Sequence, residues 1–169
     1  MAVWQFKFSL APTEGIVKAH GKVLDFLPQF AAVVPDAVLN DEMVWPNYWD
    51  GVDKSAIHSF AKSVLPIADS WSIEATMYGN SKTDDIHIWD DSVDVRLDCS
   101  NLNIGLLESL LAIADECGCC IVLCEGGRVI PPVFEQVFDA LKASSACRFV
   151  KDPRAFLASS DRIFSANTG

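Results

Sequence analysis

The sequence has few basic residues for its length. Its 169 residues include 13 Lys and Arg against 23 Asp and Glu, which gives a formal net charge of −10 at pH 7. A protein that binds duplex nucleic acid needs Lys and Arg to neutralise phosphates, and the same cations hold proteins on anionic membranes. The composition therefore argues against nucleic acid and against a membrane surface as partners, and it favours a basic protein partner.

Long apolar runs are also missing. No window approaches the roughly 18 consecutive apolar residues of a membrane span. Residues 1–10 alternate apolar and polar residues, where a signal peptide would have a basic start and a continuous apolar run. Repeats, low-complexity tracts and linkers are absent as well. We therefore predict a single cytoplasmic domain over residues 1–169, with a polar C-terminal tail from about residue 159.

Motifs for catalysis and for nucleotide binding are lacking too. There is no Gly-x-Ser-x-Gly elbow, no glycine-rich phosphate loop and no Asp-x-Asp-x-Asp-Gly calcium pattern. The three histidines, His20, His58 and His87, are not at metal-ligand spacing. The sequence thus predicts no catalytic residue, no metal ligand and no cofactor. A catalytic Cys–His pair whose two residues are distant in sequence and meet only in the folded chain stays an alternative.

Cysteine is the most conspicuous residue type that is present. The six are Cys99, Cys117, Cys119, Cys120, Cys124 and Cys147. A structural zinc site usually needs two Cys-x(2–4)-Cys pairs, and no second pair exists here. On a strand, Cys120 and Cys124 would share one face while Cys119 takes the other, so the clustered thiols cannot converge on a metal. We interpret them as reduced core residues, which fits a cytoplasmic protein.

Hydropathy patterns predict strands and helices in mixed order. The strands are predicted over residues 4–10, 71–78, 86–89, 93–98 and 119–124. The helices are predicted over Lys54–Leu65, capped by Asp53, over Asn103–Glu116, after Pro131-Pro132 and after Asp152-Pro153. Residues 15–53 give mixed signals and are predicted to be irregular, with short strands or turns. Because the middle strands follow one another with short loops, we predict an α+β fold whose mostly antiparallel sheet carries helices largely on one face.

Acidic residues are concentrated in one third of the chain. Residues 36–94 hold 12 acids against three lysines, which is −9 of the total charge of −10. The same stretch contains the aromatic residues Trp45, Tyr48, Trp49, Trp71, Tyr78 and Trp89. Trp and Tyr beside carboxylates are typical of interface hot spots. An ordinary solubilising surface would also explain the acids, and core positions would also suit Trp45 and Trp71.

The partner-binding residues are predicted from this stretch. Trp89 qualifies because it faces away from Ile86 and Ile88 on a strand. The full set is Asp84, Asp85, Trp89, Asp90, Asp91 and Asp94, followed by Trp49 and Asp50.

Several segments of the second half are of the kind seen together in one group of proteins. They are Val95–Asp98, a Leu-rich helix ending in Asp115-Glu116-Cys117, Val129-Ile130-Pro131 and Ser144–Pro153 followed by Phe156-Leu157. Through them, residues 71–157 resemble small bacterial immunity proteins of polymorphic and contact-dependent toxin systems. The resemblance implies a cytoplasmic protein that binds a cognate toxin domain and occludes its active site. It brings no catalytic motif, and residues 1–70 have no counterpart in it.

Two other functions stay open from the sequence. One is a small enzyme or a small-molecule-binding protein whose pocket the sequence does not reveal; a bound ligand or a zinc content near one equivalent would indicate it. The other is a self-assembling structural protein, which large homo-oligomers would indicate. A homodimer also stays open.

Overall fold

A computed structural model describes residues 3–31 and 45–158, which form an α+β fold. The described strands are β1 (Gln5–Pro12), β2 (Ile67–Ala68), β3 (Thr76–Gly79), β4 (Asp85–Ile88), β5 (Val93–Asp98), β6 (Cys119–Leu123) and β7 (Val129–Ile130). The helices are α1 (Thr13–His20), α2 (Ser55–Val64), α3 (Ile104–Glu116), α4 (Phe134–Ala143) and α5 (Ser145–Lys151). A 3-10 turn spans Pro28–Phe30, and residues 153–158 are also helical.

The strands form one antiparallel sheet in the order β2-β3-β4-β5-β1-β6-β7. The predicted meander is confirmed, because β3, β4 and β5 are consecutive in the chain and adjacent in the sheet. The predicted mostly antiparallel α+β architecture is confirmed as well.

Strand β1 lies near the middle of the sheet, where it pairs with β5 and β6. Its apolar residues Phe6, Phe8 and Leu10 are buried, as predicted. On its other side, Gln5 and Ser9 are buried too. Gln5 illustrates the reason: its Nε2 donates to the carbonyl oxygens of the β3–β4 loop, which folds over this end of the strand.

The main core lies between one face of the sheet, the helix face, and helices α2, α3 and α4. Ile57 of α2, Leu107 of α3 and Val137 of α4 are fully buried in it. Helix α3 begins where predicted, because the side chain of Asn103 accepts a hydrogen bond from the backbone N–H of Leu106 at 3.0 Å. The remaining predicted helices are also present, although α4 starts at Phe134, two residues after Pro132.

A smaller core lies on the opposite face of the sheet, under α1. Ile16 of α1 packs there with Leu27, Tyr48 and Val122. The prediction of irregular structure from residue 15 is therefore wrong for residues 15–20, which belong to α1. Gly15 is there for close packing and not as a helix breaker, since a Cβ at this position would lie 1.9 Å from the carbonyl oxygen of Tyr48.

The strand predicted from Trp71 begins only at Thr76. The hydroxyls of Ser70 and Ser72 accept hydrogen bonds from the backbone N–H groups of Ser72 and Glu74. Such side-chain bonds offer the backbone an alternative to a β-ladder, so the segment before Thr76 is a loop despite its alternating pattern.

Two earlier predictions concern residues outside this description. The polar tail predicted from about residue 159 lies outside the described residues, as do the acids Asp36, Asp41 and Glu42. In the part of the chain that the structure describes, no helix is both long enough and apolar enough to cross a bilayer.

Candidate functional site

The face of the sheet opposite the main core carries polar side chains, and we call it the polar face. Strand register places Lys7 of β1 beside Arg96 of β5, and Ser9 beside Asp94. It also places His87 of β4 beside Asp94. Residues that lie opposite each other in a ladder project to the same side, so these five side chains share this face.

A cavity of about 530 Å³, the polar groove, lies on this face. Its floor includes Lys7, Arg96 and Cys124, while Trp45 and Trp89 contribute aromatic side chains to its lining. The volume falls within the range of about 300–1,000 Å³ that is usual for small-molecule sites.

A buried ion pair anchors one side of the groove. Arg96 donates from Nε to Oδ1 of Asp85 at 2.6 Å and from Nη2 to Nε2 of His87 at 2.7 Å. Asp85 is only 2% exposed, and burial raises the pKa of its carboxyl in spite of the bond from Arg96. Burial and the charge of Arg96 lower the pKa of His87 to about 4, so at neutral pH this ring is uncharged and can accept the hydrogen bond.

Lys7 is the second cation of the floor. Among the described residues, no acceptor lies within hydrogen-bond or ion-pair distance of its ammonium group. Burial and the neighbouring charge of Arg96 lower the pKa of Lys7. As far as the structure describes the chain, one cation of the groove thus has an internal partner and the other does not.

The other side of the groove holds an acid and a thiol. The hydroxyl of Ser9 donates to Asp94 at 2.6 Å and Ser92 donates to its second oxygen, while burial raises the pKa of this carboxyl. Burial raises the pKa of Cys124 to about 11, which leaves it a neutral and weakly nucleophilic thiol at pH 7.

A second surface feature, the acidic-aromatic patch, lies at the edge of the groove. Trp71 is 76% exposed and Ile73 is fully exposed. The rings of Trp71 and Trp89 are 5.2 Å apart, and a shallow depression connects Ile73, Glu74, Trp89 and Asp90. The patch is defined here as Trp71, Ile73, Glu74, Trp89, Asp90 and Asp91.

Lys54, just before α2, holds the patch in place. Its ammonium group donates to the carbonyl oxygens of Trp89 and Asp90, at 2.7 and 2.6 Å. It also lies 5.4 Å from the ring centre of Trp49. These contacts connect α2 to the loop that follows β4.

Replacing Lys54 with methionine is expected to lower the free energy of unfolding by about 1.5–3 kcal/mol, the usual contribution of hydrogen bonds to a charged group. Chemical denaturation monitored by circular dichroism would measure it. Lys62→Met, which alters an exposed lysine within α2, should change stability by less than about 0.5 kcal/mol. Equal losses for the two variants would mean that the contacts of Lys54 have no special role.

The structure brings together only some of the predicted partner-binding residues. Trp89, Asp90 and Asp91 are adjacent in the patch, and Asp94 lies on the groove floor. Asp84 is at the other end of β4, about 20 Å from Asp90 for a strand path of this length. Its carboxylate accepts a hydrogen bond from the backbone of Asp98 at 2.8 Å, so it is part of the framework.

Three further predicted residues lie away from the patch. Trp49 is 2% exposed and its Nε1 donates to the carbonyl of Leu10, so it is a core residue and not an exposed contact. Asp85 is equally buried in its pair with Arg96. Asp50 is exposed but forms an ion pair with Lys18 of α1, on the side of the smaller core.

The sequence also allowed core positions for Trp45 and Trp71, and the structure places these two residues differently. Trp71 is exposed and its ring packs at an angle of 59° against that of Trp89, in the loop that the serine turns form. Trp45 is half-buried and lines the polar groove.

The cysteines are all free thiols. Cys120 and Cys124 lie on the same side of the sheet and Cys119 on the other, as predicted from strand alternation. Burial raises the pKa of Cys119 to about 12. In the described ranges no group of three or more His, Cys, Asp or Glu side chains could hold a metal ion.

The histidines have partners other than thiols in the described part of the chain. His20 and His58 are hydrogen-bonded to the hydroxyls of Tyr48 and Tyr78, and His87 is bonded to Arg96. The Cys–His pair that the sequence left open is therefore not formed among these residues.

The sequence did not single out Lys7 or Arg96 as site residues. Lys7 and Arg96 are ordinary polar positions in alternating strands, and only the register that pairs β1 with β5 shows that they are neighbours.

No family model matches the chain, and comparison with curated proteins and with solved structures also finds no match.

Proposed function

We propose that the chain binds a basic protein partner through the acidic-aromatic patch. The observation that carries the proposal is the exposure of Trp71 and Ile73 beside Trp89, next to three carboxylates. Large apolar side chains that are exposed together and bordered by charge are typical of interaction sites. Trp in particular is enriched among interface hot spots.

The charge of the patch supports a basic partner. Glu74, Asp90 and Asp91 are exposed, and none of them forms an ion pair with a cation of the described residues. Lys54 feels the charges of Asp90 and Asp91, but its ammonium group donates to backbone carbonyls and not to these carboxylates. These carboxylates are therefore free to pair with lysines or arginines of another protein, which would give orientation and a fast association rate.

The partner is proposed to be a bacterial toxin domain in the cytoplasm. The resemblance of residues 71–157 to immunity proteins supports this choice, and so does the acidic character of the chain, since a toxin that acts on nucleic acid would itself be basic. Inhibition would be stoichiometric: the patch would cover the toxin's active site while carboxylates pair with its cations.

The gene directly upstream offers the test. If it encodes a large secreted protein with a toxic C-terminal domain, expression of that domain alone should arrest growth, and co-expression of this chain should restore it. A one-to-one complex should then be measurable by size-exclusion chromatography with light scattering. Continued growth arrest in spite of co-expression, with no complex formed, would refute the proposal.

Replacing Trp71 with alanine is expected to weaken toxin binding by about 2 kcal/mol, the scale of an interface hot spot, or about thirtyfold in Kd. Because Trp71 is 76% exposed, the melting temperature should stay nearly unchanged. Isothermal titration calorimetry and a thermal melt measure the two quantities. Val133→Ala, at an exposed apolar position before α4, should leave the affinity unaltered; an equal effect of both variants would remove the patch from the interface.

A further inference from the structure

A second cavity, the edge pocket, lies beside the acidic-aromatic patch at the β2 edge of the sheet. It has a volume of about 330 Å³ and is lined by residues of β2 to β5 and of the loops between them. Strand register puts Ala68, Met77 and His87 in one row, so the pocket lies on the polar face. The lining residues that the structure gives all lie between residues 68 and 96, a stretch that it describes without a gap.

A buried carboxylate oxygen in the lining of this pocket lacks a hydrogen-bond donor. Asp85 is 2% exposed, and its Oδ1 accepts a hydrogen bond from Arg96 at 2.6 Å. Its Oδ2 is buried and has no hydrogen-bond partner among the described residues. The ring of His87 is 3.8 Å from Oδ2, beyond hydrogen-bond distance, and is uncharged at neutral pH. Because a buried acceptor without a donor is unfavourable, this oxygen indicates a place for a donor that another molecule supplies.

The charges around the pocket favour a cation as that donor. The lining contains the carboxylates of Asp69 and Asp85 against one guanidinium group, that of Arg96. Asp84 and Lys7 also act on Asp85 from outside the lining, and their effects are opposite in sign. Three carboxylates against two cations leave one negative charge. Asp69 is exposed and forms no ion pair with a described residue, so its carboxylate is free to bind a cation.

Trp71 connects the edge pocket to the acidic-aromatic patch. It lines the pocket, belongs to the patch and is 76% exposed. A guanidinium group is planar, stacks on aromatic rings and donates several hydrogen bonds in fixed directions, whereas an ammonium group is a compact point charge. A pocket that combines an exposed indole ring with carboxylates therefore suits arginine better than lysine.

We propose that the edge pocket receives an arginine side chain of the basic partner, whose guanidinium group donates to Oδ2 of Asp85, pairs with Asp69 and packs against Trp71. This inference rests on the proposed function, since it assigns one contact of that interface. Asp85 would then bridge two guanidinium groups, that of Arg96 and the incoming one. The incoming charge would also neutralise the excess negative charge around the pocket.

A small probe tests the pocket without the toxin. Nα-acetyl-arginine N-methylamide carries the guanidinium group, and the corresponding citrulline derivative has the same shape without the charge. In ¹⁵N NMR titrations, the arginine probe should shift the indole signal of Trp71 and the Nε signal of Arg96. The citrulline probe should bind about 10- to 100-fold more weakly, which corresponds to the loss of a charge-assisted hydrogen bond. Equal affinities for the two probes, or no shift of these signals, would overturn the proposal.

A variant that fills the pocket tests the same contact in the toxin complex. Ala68→Leu adds an apolar side chain on the pocket side of β2 and leaves every charge in place, so it should weaken toxin and probe binding at least about 10-fold. Ile67→Val is the control, because residue 67 is 74% exposed and projects to the opposite face; it should bind as the native chain does. Undiminished toxin affinity of Ala68→Leu would overturn the inference and leave the proposed function standing. If the native chain itself forms no complex, the proposed function fails, and the probe titration shows whether the pocket still recognises a guanidinium group.

Asp69→Asn supplies a second test that does not change the packing of the sheet. Because Asp69 is exposed, the variant should fold as the native chain does and should weaken binding of the arginine probe by about 2- to 5-fold, the range for an exposed ion pair. Glu135→Gln, which makes the same change in net charge at an exposed position of α4, should bind the probe unchanged. Equal effects of the two variants would mean that only the net charge attracts the probe, which would contradict a contact in the pocket.

Discussion

Replacing Arg96 with methionine is expected to lower the free energy of unfolding by about 3–5 kcal/mol at neutral pH, the usual cost of removing one partner from a buried ion pair. Asp85 is 2% exposed, and Arg96 provides its bond at 2.6 Å. The second carboxylate oxygen of Asp85 has no hydrogen-bond partner, and its nearby ring, His87 at 3.8 Å, is uncharged at neutral pH. The variant would therefore leave the carboxylate buried without its hydrogen-bonded cation. Urea denaturation at pH 7 measures the loss.

The loss should depend on pH in a defined direction. Burial already raises the folded-state pKa of Asp85 above its unfolded value, and the Arg96→Met variant would raise it further. The folded state then binds more protons than the unfolded state, so its stability increases as pH falls through the raised pKa. The difference between variant and native protein should therefore be largest above this pKa and shrink in acid.

Two further variants separate the ion pair from simple side-chain loss. Arg128→Met removes an exposed arginine that has no ion pair among the described residues, and it should change stability by less than about 0.5 kcal/mol. The double variant Asp85→Leu with Arg96→Met replaces both charges with apolar groups and should recover most of the lost stability. If the double variant is no more stable than Arg96→Met alone, the unpaired carboxylate is not the cause.

Hydropathy periodicity predicted most of the helices and strands because each of them buries its apolar residues against the main core. The apolar residues of α3, such as Leu107 and Leu110, recur at helical spacing since they face one sheet. The run of buried residues in β6 likewise follows from its coverage on both faces. In α3 and β6, the sequence pattern and the structure agree for this reason.

Prediction from sequence failed where contacts with distant residues, or side-chain hydrogen bonds, decide the local backbone structure and the local hydropathy pattern does not. Residues 15–20 are predicted to be irregular, yet they belong to α1, where the backbone of Tyr48 approaches Gly15 too closely for a side chain. Trp71 and Ile73 alternate like strand residues, yet serine hydroxyls turn their segment into a loop. Both outcomes depend on contacts that no local pattern contains.

The candidate site was predictable only where its residues are close together in the sequence. Trp89, Asp90 and Asp91 are consecutive, so a local search for acidic and aromatic residues finds them together. The polar groove joins Lys7 to Arg96, which are far apart in the chain, and strand register alone makes them neighbours. Asp85 showed the opposite error: its acidity suggested an exposed contact, while its pair with Arg96 buries it.

The proposed partner would respond both to the net charge of the chain and to the local charge of the patch. The chain has a net charge of −10, so any basic protein would be attracted to it over long distances. Specific binding requires that the attraction be strongest at the patch, where carboxylates lie beside exposed Trp71 and Ile73. A charge reversal at the patch should therefore have a larger effect than the same reversal elsewhere.

Replacing both Asp90 and Asp91 with lysine is expected to slow association with the toxin domain by about 10- to 1,000-fold at low salt, the range by which electrostatic steering changes association rates. The effect should diminish at 1 M salt, where the screening length is about 3 Å. Stopped-flow mixing at several salt concentrations measures the association rates of the variant and of the native protein. The matched control is Asp115→Lys with Glu116→Lys, which makes the same change in net charge at exposed positions ending α3. The control should slow association much less; equal slowing by the two variants, or an effect that persists unchanged at high salt, would show that the patch does not direct the encounter.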